Sequence, residues 1–241
     1  MMKQTISALR KSEFMKSKFS ALIALSALAL AMFGCGGGAK TTTDNSSGSK
    51  TGNNNQTSSK KAEKPKPKTE IPNKKKPEGE GKTANKKVPV PADWVYVYDE
   101  NKGYGFAVPS GSSGDAANVE GIDVFVAGTP APSEVAVFVL AYKDKTRTKE
   151  ELLGDAVKFL EGMGETVQAG SLTAESDIYS LAEATTTNAE GGKSKMKILV
   201  GTDVTDNYVM IVGTDESKFE ANKEIVDAIW GSFEIWSGGA S

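Results

Sequence analysis

Hydrophobic and polar positions divide this chain into three stretches. Phe19 to Phe33 is an uncharged apolar run, residues 36–90 hold almost no aliphatic or aromatic side chains, and from about residue 91 the pattern turns dense and alternating. In that last stretch Trp94-Val95-Tyr96-Val97-Tyr98 predicts a strand, Asp99 to Gly103 a turn, and Tyr104-Gly105-Phe106-Ala107-Val108 the returning strand. Pro109 ends it, and the Ser/Gly-rich residues 110–118 are expected as a loop. Further strands are expected at about 122–127, 134–142, 166–173, 178–187, 195–202 and 207–213. Thr148 with Glu151 has the spacing of a capping box. Leu152, Leu153, Ala156, Val157, Leu160 and Met163 fall on one face of the helix it starts, and Gly162 and Gly164 supply the exit. A second helix is expected from Ser217 to Trp230, where Ser217 and Glu220 repeat the capping-box spacing. Its buried stripe is Phe219, Ile225, Val226, Ile229 and Trp230. Ser232 to Trp236 is expected as a short edge strand or an extended tail. Strands in runs, broken by two helices, predict an α+β domain over 91–241: an antiparallel sheet flanked by helices, layered α/β/α. The strand–helix alternation of a doubly wound parallel sheet is missing.

The apolar run at the N-terminus changes the picture from a fold to an address. Lys16 and Lys18 precede it, and Gly34-Cys35 end it. A charged segment, a short apolar core and a small residue at the cut make an export signal over residues 1–34. The run is shorter than the roughly 20 residues a transmembrane helix needs. Met15 followed by Lys16 has the form of a start, so residues 1–14 are either an extended charged segment or precede the true start. Gly34-Cys35 resembles the last two positions of the bacterial lipoprotein signal, although Met32 and Phe33 differ from its usual Leu and small residue. The resemblance implies cleavage between Gly34 and Cys35, with acyl chains on Cys35 that hold the protein on membrane lipid. Each buried CH₂ adds about 0.8 kcal/mol, so two or three chains anchor stably. The alternatives are an ordinary secretory signal cut near a cysteine, or an uncleaved anchor. Gly36 rather than Asp after the cysteine leans toward the outer membrane or its periplasmic face.

Residues 35–90 are expected to be a tether. Residues 41–59 are Thr/Asn/Ser/Gly-rich, and 60–87 are Lys/Pro/Glu-rich with the run Lys74-Lys75-Lys76. Neither can bury enough apolar surface to offset the entropy of ordering. The Lys-rich half is a soluble spacer, or else it lies along anionic headgroups.

Charge separates tether from domain. Residues 36–90 have a net charge of +8 and residues 91–241 one of −14. So acidic a domain is a poor nucleic-acid binder, because phosphate contact needs clustered Lys and Arg. There is one Cys and no His in the chain, which excludes an intrachain disulfide and the ordinary Cys/His zinc sites.

The strand residues themselves carry a second resemblance. Trp94-x-x-x-Tyr98, Gly103-Tyr104-x-Phe106-x-Val108-Pro109, one central helix, and a closing helix ending in Ile229 and Ser232-Phe233 look like the PsbP-like superfamily. That superfamily includes a photosystem extrinsic subunit, a Ran-binding import factor and bacterial lipoproteins. The resemblance covers about 93–236 and implies a seven- or eight-stranded antiparallel sheet flanked by helices, generally non-catalytic and used for assembly or binding.

Candidate chemistry is thin. Without His, and with Cys35 expected to be acylated, nucleophilic catalysis lacks the usual nucleophile–base pairing. No catalytic residue, metal ligand or cofactor is assigned. Gly103-x-Gly105 and Gly111-x-x-Gly114 are expected as turn glycines, since a phosphate loop needs a helix N-terminus after it. Asp203, Asp206 and Asn207 are expected to form a hairpin turn rather than a Ca²⁺ clasp. Trp94, Tyr96, Tyr98 and Tyr104 either pack on the sheet or line a ligand groove. The expectation is a lipid-anchored, non-catalytic module of the cell envelope with a protein partner; the alternative is a periplasmic solute- or metal-binding domain.

Overall fold

The computed structural model describes residues 69–78, 81–85, 87–119, 121–142, 146–203 and 206–236. Gly34, Cys35, the export signal and residues 35–68, 79–80 and 86 of the expected tether lie outside the described residues. The elements are β1 (Lys82–Thr83), β2 (Val95–Asp99), β3 (Tyr104–Val108), β4 (Ser113–Val119), β5 (Ile122–Gly128), β6 (Ala136–Tyr142), α1 (Lys149–Gly162), β7 (Thr166–Ala169), β8 (Thr173–Ala174), β9 (Tyr179–Thr187), β10 (Lys193–Asp203), β11 (Asp206–Asp215), α2 (Glu216–Phe219), α3 (Lys223–Gly231) and β12 (Glu234–Ile235).

Eight strands form the main sheet, in the order β4-β5-β6-β11-β10-β9-β7 with β8 also on β9. Every pairing between these strands is antiparallel. This is the sheet that the PsbP-like resemblance implies. Its central strands are apolar on both sides. In β6, Val137, Val139 and Ala141 enter one core while Phe138, Leu140 and Tyr142 enter the other. In β11, Tyr208, Met210 and Val212 alternate with Val209 and Ile211 in the same way. Strands buried on both faces read as continuous apolar runs, which is why these segments are so legible.

Helix α1 covers one face through Leu152, Ala156 and Leu160, spaced four apart and fully buried. Its start is the expected one. Thr148 Oγ1 accepts from the Glu151 backbone N–H at 3.1 Å, and the Thr148 backbone N–H donates to Glu151 Oε2 at 2.8 Å.

The second face departs from a plain α/β/α sandwich. Helix α3 packs there through Val226, Ile229 and Trp230, but it shares the face with a second sheet in the order β1-β12-β3-β2. Phe106, Val108, Phe233 and Ile235 of that small sheet and its flank fill the core beside α3. A helix of nine residues is too short to cover eight strands, so the remaining apolar surface is buried by strands.

Four expectations are corrected. The Ser/Gly-rich segment 110–118 is not all loop, because β4 pairs with β5 from Ser113 to Val119. As an outer strand it buries no residue fully, so it shows no apolar alternation. The helix expected at 217–230 is two helices, α2 and α3, with a break at Glu220-Ala221-Asn222, and Ser217 caps neither. The Asn222 side-chain amide instead donates to the Ser133 carbonyl at 2.8 Å. The closing segment is neither edge nor tail. β12 lies between β1 and β3, with Glu234 and Ile235 both buried. Finally, hydrogen-bonded structure begins upstream of residue 91. Ile71 and Ala84 are buried, the Ile71 N–H donates to the Ser112 carbonyl at 3.0 Å, and the Ala84 N–H donates to the Phe233 carbonyl at 2.8 Å. Two apolar side chains and a row of backbone bonds suffice where composition alone suggested none.

Candidate functional site

The most built polar arrangement among the described residues sits on the outer face of the small sheet. Its logic begins with β2, whose alternation sends Val97 to the core and turns Tyr96 and Tyr98 outward. Directly opposed residues of antiparallel strands share a face. Tyr98 stands opposite Gly105, Gly105 opposite Glu234, and Glu234 opposite Thr83. That row places the Glu234 carboxylate outward while Phe233 and Ile235 go into the core.

Gly105 is what lets Tyr96 reach it. A Cβ at this position would lie 2.3 Å from the Tyr96 hydroxyl, so only glycine leaves the phenol room to cross β3. Tyr96 OH donates to Glu234 Oε2 at 3.1 Å, and the Trp236 indole N–H donates to the Tyr96 oxygen at 3.4 Å. Thr83 Oγ1 donates to Glu234 Oε1 at 2.8 Å. Trp236 meets Tyr98 edge-on, with ring centroids 6.3 Å apart. Gly81 closes the floor, its Cβ position 2.8 Å from the Trp236 ring and 3.0 Å from Glu234 Oε2.

A single ammonium caps this nook. Lys76 Nζ donates to Glu234 Oε1 at 2.6 Å and lies 5.9 Å from the Tyr96 ring centre and 5.8 Å from that of Trp236. The Glu234 side chain is 6% exposed and that of Lys76 52%. Burial pushes the Tyr96 phenol above its ordinary value; the Trp236 hydrogen bond opposes this and the charge of Glu234 adds to it. Tyr96 therefore stays protonated and remains a donor to the carboxylate. A desolvated carboxylate framed by two ring faces is suited to holding an organic cation.

Two other concavities are less organised. A cleft of about 520 Å³ is lined by Glu70, Gly111, Ser113, Thr129, Ala131 and Glu134 among others, mostly small side chains and backbone. A smaller one of about 220 Å³ holds Lys195, Lys197 and Lys223. There Lys195 pairs with Glu216 at 4.0 Å and Lys197 with Asp227 at 2.6 Å.

Of the residues singled out by sequence, Tyr96 and Tyr98 line the nook, Tyr104 lies in the core, and Trp94 packs partly buried against that core. Gly103 closes the Asp99 turn and Gly111 the one after β3, both with positive φ. Asp203 takes Lys82 at 2.9 Å on both carboxylate oxygens and stands opposite Asp206 at the end of the β10–β11 ladder. Among the described residues no three His, Cys, Asp or Glu side chains are placed to share a metal ion. No helix there is long and apolar enough to cross a membrane. Sequence reasoning named Lys76 only within the run Lys74-Lys75-Lys76, as spacer or headgroup contact, and gave Glu234 no site role. The available signal was Glu234 alternating with the apolar Phe233 and Ile235, which puts it beside Trp236 only once β12 is known to pair on both sides.

No family model matches this chain, and no curated protein does. Solved structures do. The solution structure of cyanobacterial PsbP (CyanoP) from Synechocystis sp. PCC 6803 is 17% identical, covers 61% of this chain and 95% of its own, and has a TM-score of 0.48. A Bacteroides thetaiotaomicron protein is 14% identical over 60% of this chain and 49% of its own, with a TM-score of 0.40. LpqN, involved in cell envelope biogenesis of Mycobacterium tuberculosis, is 14% identical over 62% of this chain and 82% of its own, with a TM-score of 0.30.

Proposed function

We propose that this chain is a lipid-anchored, non-catalytic binding module of the bacterial cell envelope, engaging an envelope protein. The observation that carries the binding half is the Glu234 nook. Its carboxylate is desolvated, pinned by Tyr96 and Thr83, and flanked by aromatic rings. Those contacts orient and hold a cation. The anchoring half rests on sequence: the sole cysteine, Cys35, directly follows the apolar run and Gly34. An acylated Cys35 would place the domain at the membrane surface, with the residues between as spacer. Growth of the producing bacterium with radiolabelled palmitate tests the anchor: label enters the native protein and is lost in Cys35→Ser. Label that persists in the variant overturns the anchor. Affinity capture of the intact envelope protein tests the partner; repeated isolation of the chain alone overturns that half.

A further inference from the structure

We infer that the Glu234 nook is a binding site for a primary alkylammonium, such as the side chain of a lysine on another protein, and that Lys76 fills it in cis. This deepens the binding-module reading and rests on it.

Three observations carry the inference. First, the nook belongs to the sheet, whereas its occupant does not. Glu234, Tyr96 and Thr83 stand on paired strands, and Trp236 is held by its backbone N–H donating to the Gly103 carbonyl at 2.8 Å. Second, Lys76 comes from a lightly held strap. Pro72 to Lys76 are exposed, and that stretch is tied by the Lys74 N–H to the Tyr96 carbonyl at 2.9 Å and by the Tyr96 N–H to Asn73 Oδ1 at 2.9 Å. A segment with so few buried contacts opens at low free-energy cost. Third, the carboxylate's needs are met save for charge. Thr83 and Tyr96 satisfy both oxygens with neutral donors, and Lys76 supplies the cation. A carboxylate this buried is costly without a counter-ion, so when the strap lifts, the nook favours another cation. The ring faces of Tyr96 and Trp236 select an alkylammonium, whose methylenes they cover, over a bare metal ion.

A cis occupant lowers apparent affinity for any rival by the fraction of time it occupies the site. The test uses the full chain in detergent, labelled with ¹⁵N-tryptophan, with the Trp236 indole resonance assigned through Trp236→Phe. The probes are n-butylammonium chloride and, in a second arm, a peptide of residues 72–77, which separates recognition of a bare amine from recognition of a lysine in extended chain. In Lys76→Ala the resonance shifts saturably with n-butylammonium at a concentration at least about tenfold below that needed by the unaltered protein. Adding Glu234→Gln abolishes the shift. Equal titration of the two proteins, or no saturable shift in Lys76→Ala, overturns the proposal. Lys76→Gln, which keeps the stem, guards against misfolding: if both Lys76 variants lose the folded spectrum, the lysine is a structural fastener and the proposal fails. Neither result touches palmitate labelling at Cys35 or capture of an envelope partner, so this inference fails separately from the anchor and partner tests of the proposed function.

Discussion

Lys197 of β10 and Asp227 of α3 are joined at 2.6 Å, and the Trp230 indole N–H donates to the same Asp227 oxygen at 2.9 Å. This pins the short helix to the main sheet by one partly buried charge pair, with the Lys197 ammonium also 5.5 Å from the Trp230 ring centre. The two partners are not equivalent. Lys197 is the more deeply buried, so losing Asp227 strands an ammonium and an indole donor, while losing Lys197 leaves a carboxylate that reaches water. Asp227→Ala is expected to lower stability by about 2 kcal/mol, and Lys197→Met by less than about 1 kcal/mol. Urea unfolding of both variants checks the asymmetry; equal losses would refute it.

The capping box at Thr148 is a local device with a local effect. Thr148→Ala removes a bond to an otherwise unpaired helix N–H and is expected to cost about 1 kcal/mol. Thr148→Ser keeps the acceptor and stays close to the unaltered protein in thermal melts.

The segment upstream of residue 91 contributes to folding through Ile71 and β1, on either side of the lightly held 72–76 strap, although its composition is that of a spacer. Starting the chain at residue 91 removes buried Ile71 and Ala84, the β1–β12 pairing and the backbone bonds to Ser112 and Phe233. A chain beginning at 91 is expected to be less stable than one beginning at 69 by at least about 2 kcal/mol, the scale of burying one large aliphatic side chain. Denaturant midpoints of the two decide it.

Alkali should unfold the domain ahead of tyrosine ionisation within it. Burial raises the phenols of Tyr96, Tyr104, Tyr142, Tyr179 and Tyr208 above their ordinary value of 10.0. The neutral phenol is favoured in the folded state, so this stability is fully present below pH 10.0 and is lost as pH rises from there through the folded values. Tyr98 is partly buried, and burial first, with the charges of Glu100 and Asp99 adding to it, raises its phenol. Absorbance near the phenolate band should therefore rise first for Tyr98, and for the other five only together with loss of circular dichroism. Smooth titration of all six in a folded protein would contradict this.

The Gly105–Tyr96 crossing can be tested without touching charge. Gly105→Ala puts a methyl where the phenol lies, so Tyr96 must leave Glu234. Tyrosine ionisation in that variant is expected to move toward the ordinary value, read by absorbance against Tyr96→Phe as the blank. An unchanged Tyr96 titration would show that the hydroxyl does not cross there.

Much of the fold was legible because of where the sheet lies. β6 and β11 are buried on both faces and β10 over most of its length, so their apolar runs announce them, and Leu152, Ala156 and Leu160 announce α1 as plainly. The misreadings fall where local pattern and tertiary role part company. β4 is a strand because β5 offers it a ladder, with exposed Asp115 and Ala116 carrying no periodic signal. The break between α2 and α3 follows from Asn222 reaching across to Ser133, 89 residues away.

Sequence by itself determined the antiparallel, strand-rich domain, the single cysteine behind an apolar run, and the division of charge between a basic segment before residue 91 and an acidic one after it. Those are properties of neighbours along the chain: alternation, spacing and charge density. Tertiary structure alone decided that Lys76 meets Glu234, because the two lie 158 residues apart and come together only when β12 is inserted between β1 and β3. It likewise decided that Gly105 is open ground for Tyr96, since a missing side chain acquires meaning only from what crosses it.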